Sequence, residues 1–210
     1  MADLLIKLIL SYLLGSISGS MVAGSVRHVD IRKSGSGNAG GTNAFRTQGL
    51  KFALAVVLID VAKGLLATWI IPRFDLLVPA EPVTAEIQIL VCGFAAVVGH
   101  CYPLWYGFRG GKGAATAVGA LLIIKPMALS PMIVTWLLVL TATGWVGLAT
   151  MLAALCLIPA FFILQASFAQ VVFSVLLALF VVFTHRSNIR NMLNGTEYRF
   201  EKARIRNWFG

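Results

Sequence analysis

Apolar runs close to the length of a bilayer crossing recur along almost the whole sequence, each ended by charge, glycine or proline. A spanning helix needs ~20 mainly apolar residues. The runs fall at about Leu4 to Val26, Phe52 to Pro72, Glu86 to Trp105, Gly113 to Ile124, Met127 to Thr141, Trp145 to Leu164 and Gln170 to Thr184. The fourth is short for a full crossing. Of 210 residues, 59% are hydrophobic and 12% charged, against ~25% charged in a soluble domain. The loops left over are too short for a soluble domain. The sequence therefore predicts an all-α, polytopic integral membrane protein with seven transmembrane helices, as one domain over residues 1–210. The tight Gln165-Ala166-Ser167 connection makes the last two spans antiparallel neighbours. The first segment reads as a retained span, since no small-residue cleavage site follows a compact apolar core.

Lys and Arg number 17 against 8 Asp and Glu, a formal charge of +9. In a membrane protein this excess belongs to basic cytoplasmic loops facing anionic headgroups and substrates, not to nucleic-acid binding. Arg27, Arg32, Lys33, Arg46 and Lys51 follow the first span, Arg109 and Lys112 follow the third, and Arg186, Arg190, Arg199, Lys202, Arg204 and Arg206 lie in the tail. The alternate loops balance Arg73 against Asp75, Glu81 and Glu86, or carry Lys125 alone. This bias sets the N-terminus outside and the tail inside, with every polar cluster on one face of the membrane. Cys92, Cys101 and Cys156 are odd in number and form no C-x-x-C pair, so neither a disulfide framework nor a zinc site is expected.

Four clusters carry the chemistry. Ser34-Gly35-Ser36-Gly37-Asn38-Ala39-Gly40-Gly41-Thr42-Asn43, with Arg46 close behind, mixes permissive glycines with small donors and a cation. Such a stretch can turn successive N–H groups inward as an anion nest, and phosphate is the natural guest. Its match to G-x-G-x-x-G is rejected as a dinucleotide fingerprint, because a membrane span precedes it and Asp60 lies mid-membrane. The second cluster runs from Gly99-His100 through Trp105 to Phe108-Arg109-Gly110-Gly111-Lys112-Gly113. It is no Walker loop, since Tyr106 and Gly113 stand where Gly and Ser or Thr belong, yet one ammonium beside glycine amides suits phosphate. His100 is either a packing residue or a catalyst. The third is Thr184-His185-Arg186-Ser187-Asn188-Ile189-Arg190, then Gly195-Thr196-Glu197. His185 and Asn188 share a face if the helix continues, and His185 is a proton carrier, a phosphate donor or a helix cap. The mixed aromatic and basic tail from Asn194 to Gly210 suits an interface. The fourth is Asp60 with Lys63, best read as a salt bridge bracing the helix beneath the site. No carboxylates stand at metal-binding spacing, and neither a His-x-x-x-x-Asp dyad nor a G-x-S-x-G elbow occurs.

Taken together, S-G-S-G-N-x-G-x-T-N (Ser34 to Asn43), D-x-x-K-G (Asp60 to Gly64), G-H-x-x-P-L-W-x-x-F-R-G-G-K-G-x-A-T (Gly99 to Thr116) and H-R-x-N-I-R…G-T-E (His185 to Glu197) resemble the bacterial acyl-phosphate-dependent glycerol-3-phosphate acyltransferases. The resemblance covers nearly the whole chain, in order. It implies a seven-helix inner-membrane enzyme that makes lysophosphatidic acid from glycerol 3-phosphate and a fatty acyl phosphate, without cofactor or metal. A monomer is expected. It further implies that Ser36, Gly37, Asn38, Gly40, Thr42 and Asn43 hold the acyl phosphate, that Arg46 and Lys112 bind substrate phosphates, and that His185 and Asn188 bind glycerol 3-phosphate. A family motif with serines after the fifth span aligns with Gly147 and Thr150; the first serine is lost here, and Thr150 keeps a hydroxyl.

An acyl phosphate is already activated, so no covalent enzyme intermediate is needed. The protein has to place the hydroxyl against the carbonyl and stabilise charge on the departing phosphate. The proton goes to a substrate phosphate or to His185. The competing reading is a transporter of phosphate-bearing metabolites, which calls for a polar path through the bundle and related halves.

Overall fold

The computed structural model describes residues 2–74 and 83–205. Asp75, Glu81 and Arg206, used in the topology argument, and Trp208 and Phe209 of the aromatic tail lie outside the described residues. Every regular element among the described residues is helical. Among the described residues, five helices are long and apolar enough to cross a membrane, and a sixth is added if one bent pair counts as a single span. The chain falls into two compact units, Met1–Ile124 and Lys125–Gly210.

The first unit holds α1 (Ala2–Gly15), α2 (Gly19–Arg27), α3 (Gly41–Gln48), α4 (Leu50–Trp69), α5 (Ala85–Cys101) and α6 (Ala114–Ile124). The expected first span is thus two helices, broken at Ser16–Ser18. Its buried side is polar or small: Asp3, Lys7, Ser11 and Gly15 recur every four residues on one face of α1, while Leu5, Ile9 and Leu10 point outward. Lys7 pairs with Asp3 at 2.7 Å and donates to Gln88 Oε1 at 2.7 Å. The expectation of polar clusters at one end alone is therefore corrected: this second buried ionic group sits at the end of α1 remote from the break. The interior is available to such groups because glycines bring backbones together. A side chain on Gly15 would run into Ala96, one on Gly99 into Tyr12, and one on Gly119 into Val61. Small residues at crossings are how helices approach in lipid.

Helix α6 has 11 residues, about 16 Å at the α-helical rise, so the helix by itself covers about half of a bilayer core of ~30 Å. It starts beside Val97 and Cys101, which contact Gly113, and ends beside Gly93 of α5.

The second unit holds α7 (Leu129–Thr143), α8 (Val146–Ile163), α9 (Phe168–Thr184) and α10 (Arg186–Leu193). α8 packs on both α7 and α9. The turn after α8 uses Gln165 at φ +50°, with Ala166 N–H donating to Phe161 O, which returns α9 antiparallel as expected. α7 buries none of its residues, and Ile133, Val134, Leu137 and Leu138 are exposed; such an apolar exterior is what a lipid-facing helix presents. At His185 the chain bends by 51° into α10. The tail then folds back on the α7–α8 turn, where Phe200 N–H donates to Gly144 O at 2.9 Å and the Arg199 guanidinium stacks on Trp145 at 4.4 Å.

Candidate active site

In the first unit the glycine-rich tract is organised from within by one side chain. Asn43, 1% exposed, accepts from Ser36 N–H at 3.0 Å and faces the carbonyls of Ile31, Ser34 and Asn38 with Nδ2 at 2.9, 3.1 and 3.0 Å. Its polar atoms are thereby engaged by the loop itself. Gly35 must be glycine twice over: φ is +59°, and a side chain would strike Asn43 Oδ1. Gly37, at φ +71°, turns the next corner, with its N–H on Ser34 O. The Ser36 side chain is exposed at this corner, and Asn38 is half-buried just after it.

Gly40 then caps α3. The first helical hydrogen bond is Ala44 N–H to Gly40 O, so the amides of Gly41, Thr42 and Asn43 precede it and point toward the loop, as at any helix start. Thr42 and Arg46 are four residues apart on the exposed face, where helix start and guanidinium both favour an anion. The Gly110–Gly113 stretch repeats the arrangement. Gly113, at φ +90°, leads into α6, whose first helical bond is Ala117 N–H to Gly113 O. Lys112 sits in the preceding loop.

The two glycine tracts lie at the same end of this unit. Arg32, at the edge of the first, donates to Tyr106 O at 3.2 Å and stacks on the Tyr106 ring at 5.9 Å, four residues before Gly110. Its other donors grip Asp30 at 2.9 and 3.0 Å. The hydrogen bonds from Arg32 hold the Asp30 carboxyl below its usual range, and the same contact raises Arg32.

Beneath the loops lies a buried charged network. Asp60 and Lys63 pair at 3.0 Å, and His100 Nδ1 stands 3.3 Å from the same Asp60 oxygen, without hydrogen-bond alignment. The network reaches the break in the first span, where Lys63 Nζ donates to Ile17 O at 2.6 Å and Asp60 Oδ1 accepts Gly19 N–H at 3.1 Å. The expected salt bridge is present, with a further role that the sequence did not reveal: it satisfies backbone groups freed by the break.

In the second unit His185 is 4% exposed, and its Nδ1 lies 2.7 Å from Val181 O. A carbonyl only accepts, so Nδ1 carries the proton, and in the neutral ring Nε2 is the basic nitrogen. Asn188 donates to Glu197 Oε1 at 2.7 Å. It also packs against Gly147, where a Cβ would meet Asn188 Cγ at 2.8 Å. Asn188, Glu197 and the start of α8 are thus associated within this unit, and His185 stands at the bend three residues before Asn188. The Thr150 hydroxyl donates to Val146 O at 2.9 Å and accepts from Trp136 Nε1 at 3.2 Å. Glu197 and Arg32 were missed as organising residues because their spacing from the groups they hold has no local signature. No cluster of three metal-binding side chains occurs among the described residues.

Glycine-built, cationic helix starts in an apolar helical bundle define a membrane protein that handles anionic, phosphate-like groups. A family model described as glycerol-3-phosphate acyltransferase matches residues 5–195. A glycerol-3-phosphate acyltransferase of Symbiobacterium thermophilum is 38% identical, covering 98% of this chain and all of that one. One from Chlorobium limicola is 40% identical over 95% of this chain and 97% of its own. Among solved structures, the glycerol 3-phosphate form of PlsY, an integral membrane glycerol 3-phosphate acyltransferase, superposes with a TM-score of 0.84 at 31% identity, covering 94% of this chain and 95% of that one. Its lysophosphatidic acid form gives a TM-score of 0.82 at 30% identity, with the same coverage. The chain belongs to the glycerol-3-phosphate acyltransferase family and is a membrane acyltransferase. The transporter reading is not favoured.

Proposed function

We propose that the chain moves a fatty acyl group from an acyl phosphate to the 1-hydroxyl of glycerol 3-phosphate. The hydroxyl oxygen attacks the acyl carbonyl carbon, a new ester C–O bond forms, the bond from that carbon to the phosphate oxygen breaks, and inorganic phosphate leaves with lysophosphatidic acid as product. The hydroxyl proton passes to a substrate phosphate or to His185 Nε2. Ser36, Gly37, Asn38, Gly40 and Thr42 bind the acyl phosphate, and Asn43 contributes by shaping their loop. Arg46 and Lys112 neutralise phosphate charge, His185 and Asn188 bind glycerol 3-phosphate, and the Thr150 hydroxyl lies near the acceptor. Preorganised amides and cations of this type stabilise charge as it develops on a leaving phosphate.

The observation that carries this reading is the Arg32–Tyr106 hydrogen bond, which sets both glycine tracts at one end of the first unit. In the topology proposed, α1 with α2 form one crossing and α4, α5, α7, α8 and α9 five more; the seventh is the short α6, completed by the non-helical residues 110–113 that lead into it. The N-terminus is outside, and the glycine-rich loops and the tail are cytoplasmic, in a bacterial inner membrane. Residues 1–210 work as one domain and as a monomer.

The test is purified protein with palmitoyl phosphate and glycerol 3-phosphate in EDTA. Lysophosphatidic acid should form at an undiminished rate; no product, or product that needs added metal, would refute the mechanism. Lys112→Ala and Arg46→Ala should raise a substrate KM while leaving the fold intact. Wild-type kinetics in either would remove that residue from the site.

A further inference from the structure

The ring of His100 is wedged between two features that the acyl-transfer reading leaves apart. On one side its Nδ1 faces Asp60 at 3.3 Å, within the Asp60–Lys63 network that holds the broken first span. On the other side lies the backbone of the Lys112 loop. A Cβ on Gly111 would overlap the imidazole, with Nε2 the nearest atom, and one on Gly110 would overlap the His100 carbonyl. The loop is fastened in this position, since Gly111 N–H donates to His100 O at 3.1 Å and Gly110 N–H to Cys101 O at 3.2 Å.

Neither glycine is in a left-handed conformation, so close approach to the end of α5 is what excludes side chains here. Pro103 Cδ borders the loop at Gly110, and at Gly111 the three nearest atoms all belong to the His100 ring. At this point α5 has just ended, and beyond Pro103 the chain turns out to Arg32 through Tyr106. The imidazole lies under Gly111, is 4% exposed, and faces a carboxylate that is 1% exposed.

We propose that His100 is a positioning residue for acyl transfer: a rigid platform, braced by Asp60 and Lys63, that sets the height and orientation of the Gly110–Gly113 loop and so of the Lys112 ammonium. The inference rests on the reading that Lys112 binds a substrate phosphate. His100 itself does not meet substrate, because its two ring nitrogens face Asp60 and Gly111. Its effect travels through the loop backbone, so it changes how well a phosphate is held.

The experiment is a kinetic double-mutant cycle on the full chain in lipid nanodiscs, with thermal melting of each variant. Lys112→Ala, His100→Ala and the pair are compared for kcat and for KM of both substrates. His100→Ala should raise the KM that Lys112→Ala raises, by about tenfold, as contacting residues coupled through one loop do. It should leave the other substrate's KM within about twofold. In the Lys112→Ala background it should add no further KM defect. A Lys112 defect with an independent, multiplicative His100 effect would overturn the platform alone. Wild-type kinetics in Lys112→Ala would overturn the reading of Lys112 and this inference with it. Should His100→Ala fail to fold, Gly111→Ala takes its place in the cycle, since it drives a methyl into the same ring from the loop side; the same non-additivity is expected, and additivity refutes.

Discussion

Replacing Lys63 with methionine keeps most of the side chain's volume and deletes its charge. Lys63 is 3% exposed and makes two contacts, to Asp60 at 3.0 Å and to Ile17 O at 2.6 Å. Breaking a buried ion pair by removing one partner costs about 3–5 kcal/mol, because the other charge is left uncompensated. Asp60 keeps Gly19 N–H and His100 as neighbours, so the lower end, about 3 kcal/mol, applies. The abandoned Ile17 carbonyl adds about 1 kcal/mol. For a chain of this size each kcal/mol moves the midpoint by roughly 2–4 °C, so Lys63→Met should melt about 8–16 °C below wild type in a detergent thermal scan. Asp60→Asn with Lys63→Met removes both charges, and the amide oxygen that replaces the carboxylate can still accept Gly19 N–H, so about half of the loss should return. A double variant that melts below both singles would refute the argument, because the two residues would then act independently.

Asn43→Asp is nearly isosteric but turns the donor that faces three carbonyls into a repelling carboxylate; the glycine tract should unravel locally, and acyl transfer should fall by about 100-fold or more in a steady-state assay. Arg32→Lys keeps the charge but loses the fork that grips Asp30 and Tyr106 together; about 1 kcal/mol, or roughly a fivefold rise in KM for the acyl phosphate, is expected. Because the Asp30 carboxyl is held low by Arg32, its contribution is complete above the ordinary carboxylate range and disappears as pH falls through the depressed folded value. Thermal scans of wild type and Asp30→Asn should therefore differ near neutrality and converge in acid, and a gap that persists at low pH would count against the pairing.

The membrane helices were legible because period plays little part in them: a run of apolar residues between charges is enough, and α4, α5, α8 and α9 fall close to their expected places. The short reach of α6 was legible too, bounded by Lys112 and by Lys125-Pro126. The break in the first span was not. Ser16, Ser18, Gly19 and Ser20 suit a tightly packed straight helix as well as an interrupted one, and what decides between them is Lys63 and Asp60, more than forty positions away. Helix α3 was hidden inside the glycine tract because its residues, Gly41 to Gln48, are polar and few. The resemblance set Asn43 among the phosphate ligands; its role in the loop depends on the Ile31, Ser34 and Asn38 carbonyls closing round it, which a local motif does not encode. The buried Asp3–Lys7 pair did leave a trace, an i,i+4 spacing at the start of an apolar run.

The same physics explains why charges persist inside this bundle at all. A carbonyl or amide without a partner in hydrocarbon costs several kcal/mol, so an interrupted span needs donors and acceptors supplied from a neighbouring helix. Neutral side chains could supply one of each, but a single carboxylate offers several lone pairs and here takes up Gly19 N–H and Lys63 while facing His100 on one oxygen. An ammonium then balances the charge and reaches the Ile17 carbonyl. Asp60 and Lys63 are therefore better understood as the means by which the first span can be interrupted beside the glycine loops than as acid and base. That assignment makes a distinction: neutralising both should damage assembly and the Lys112 loop together, whereas a proton-transfer pair would lose turnover with the fold intact. A fully folded Asp60→Asn, Lys63→Met protein with unchanged KM values and a collapsed kcat would therefore reverse it.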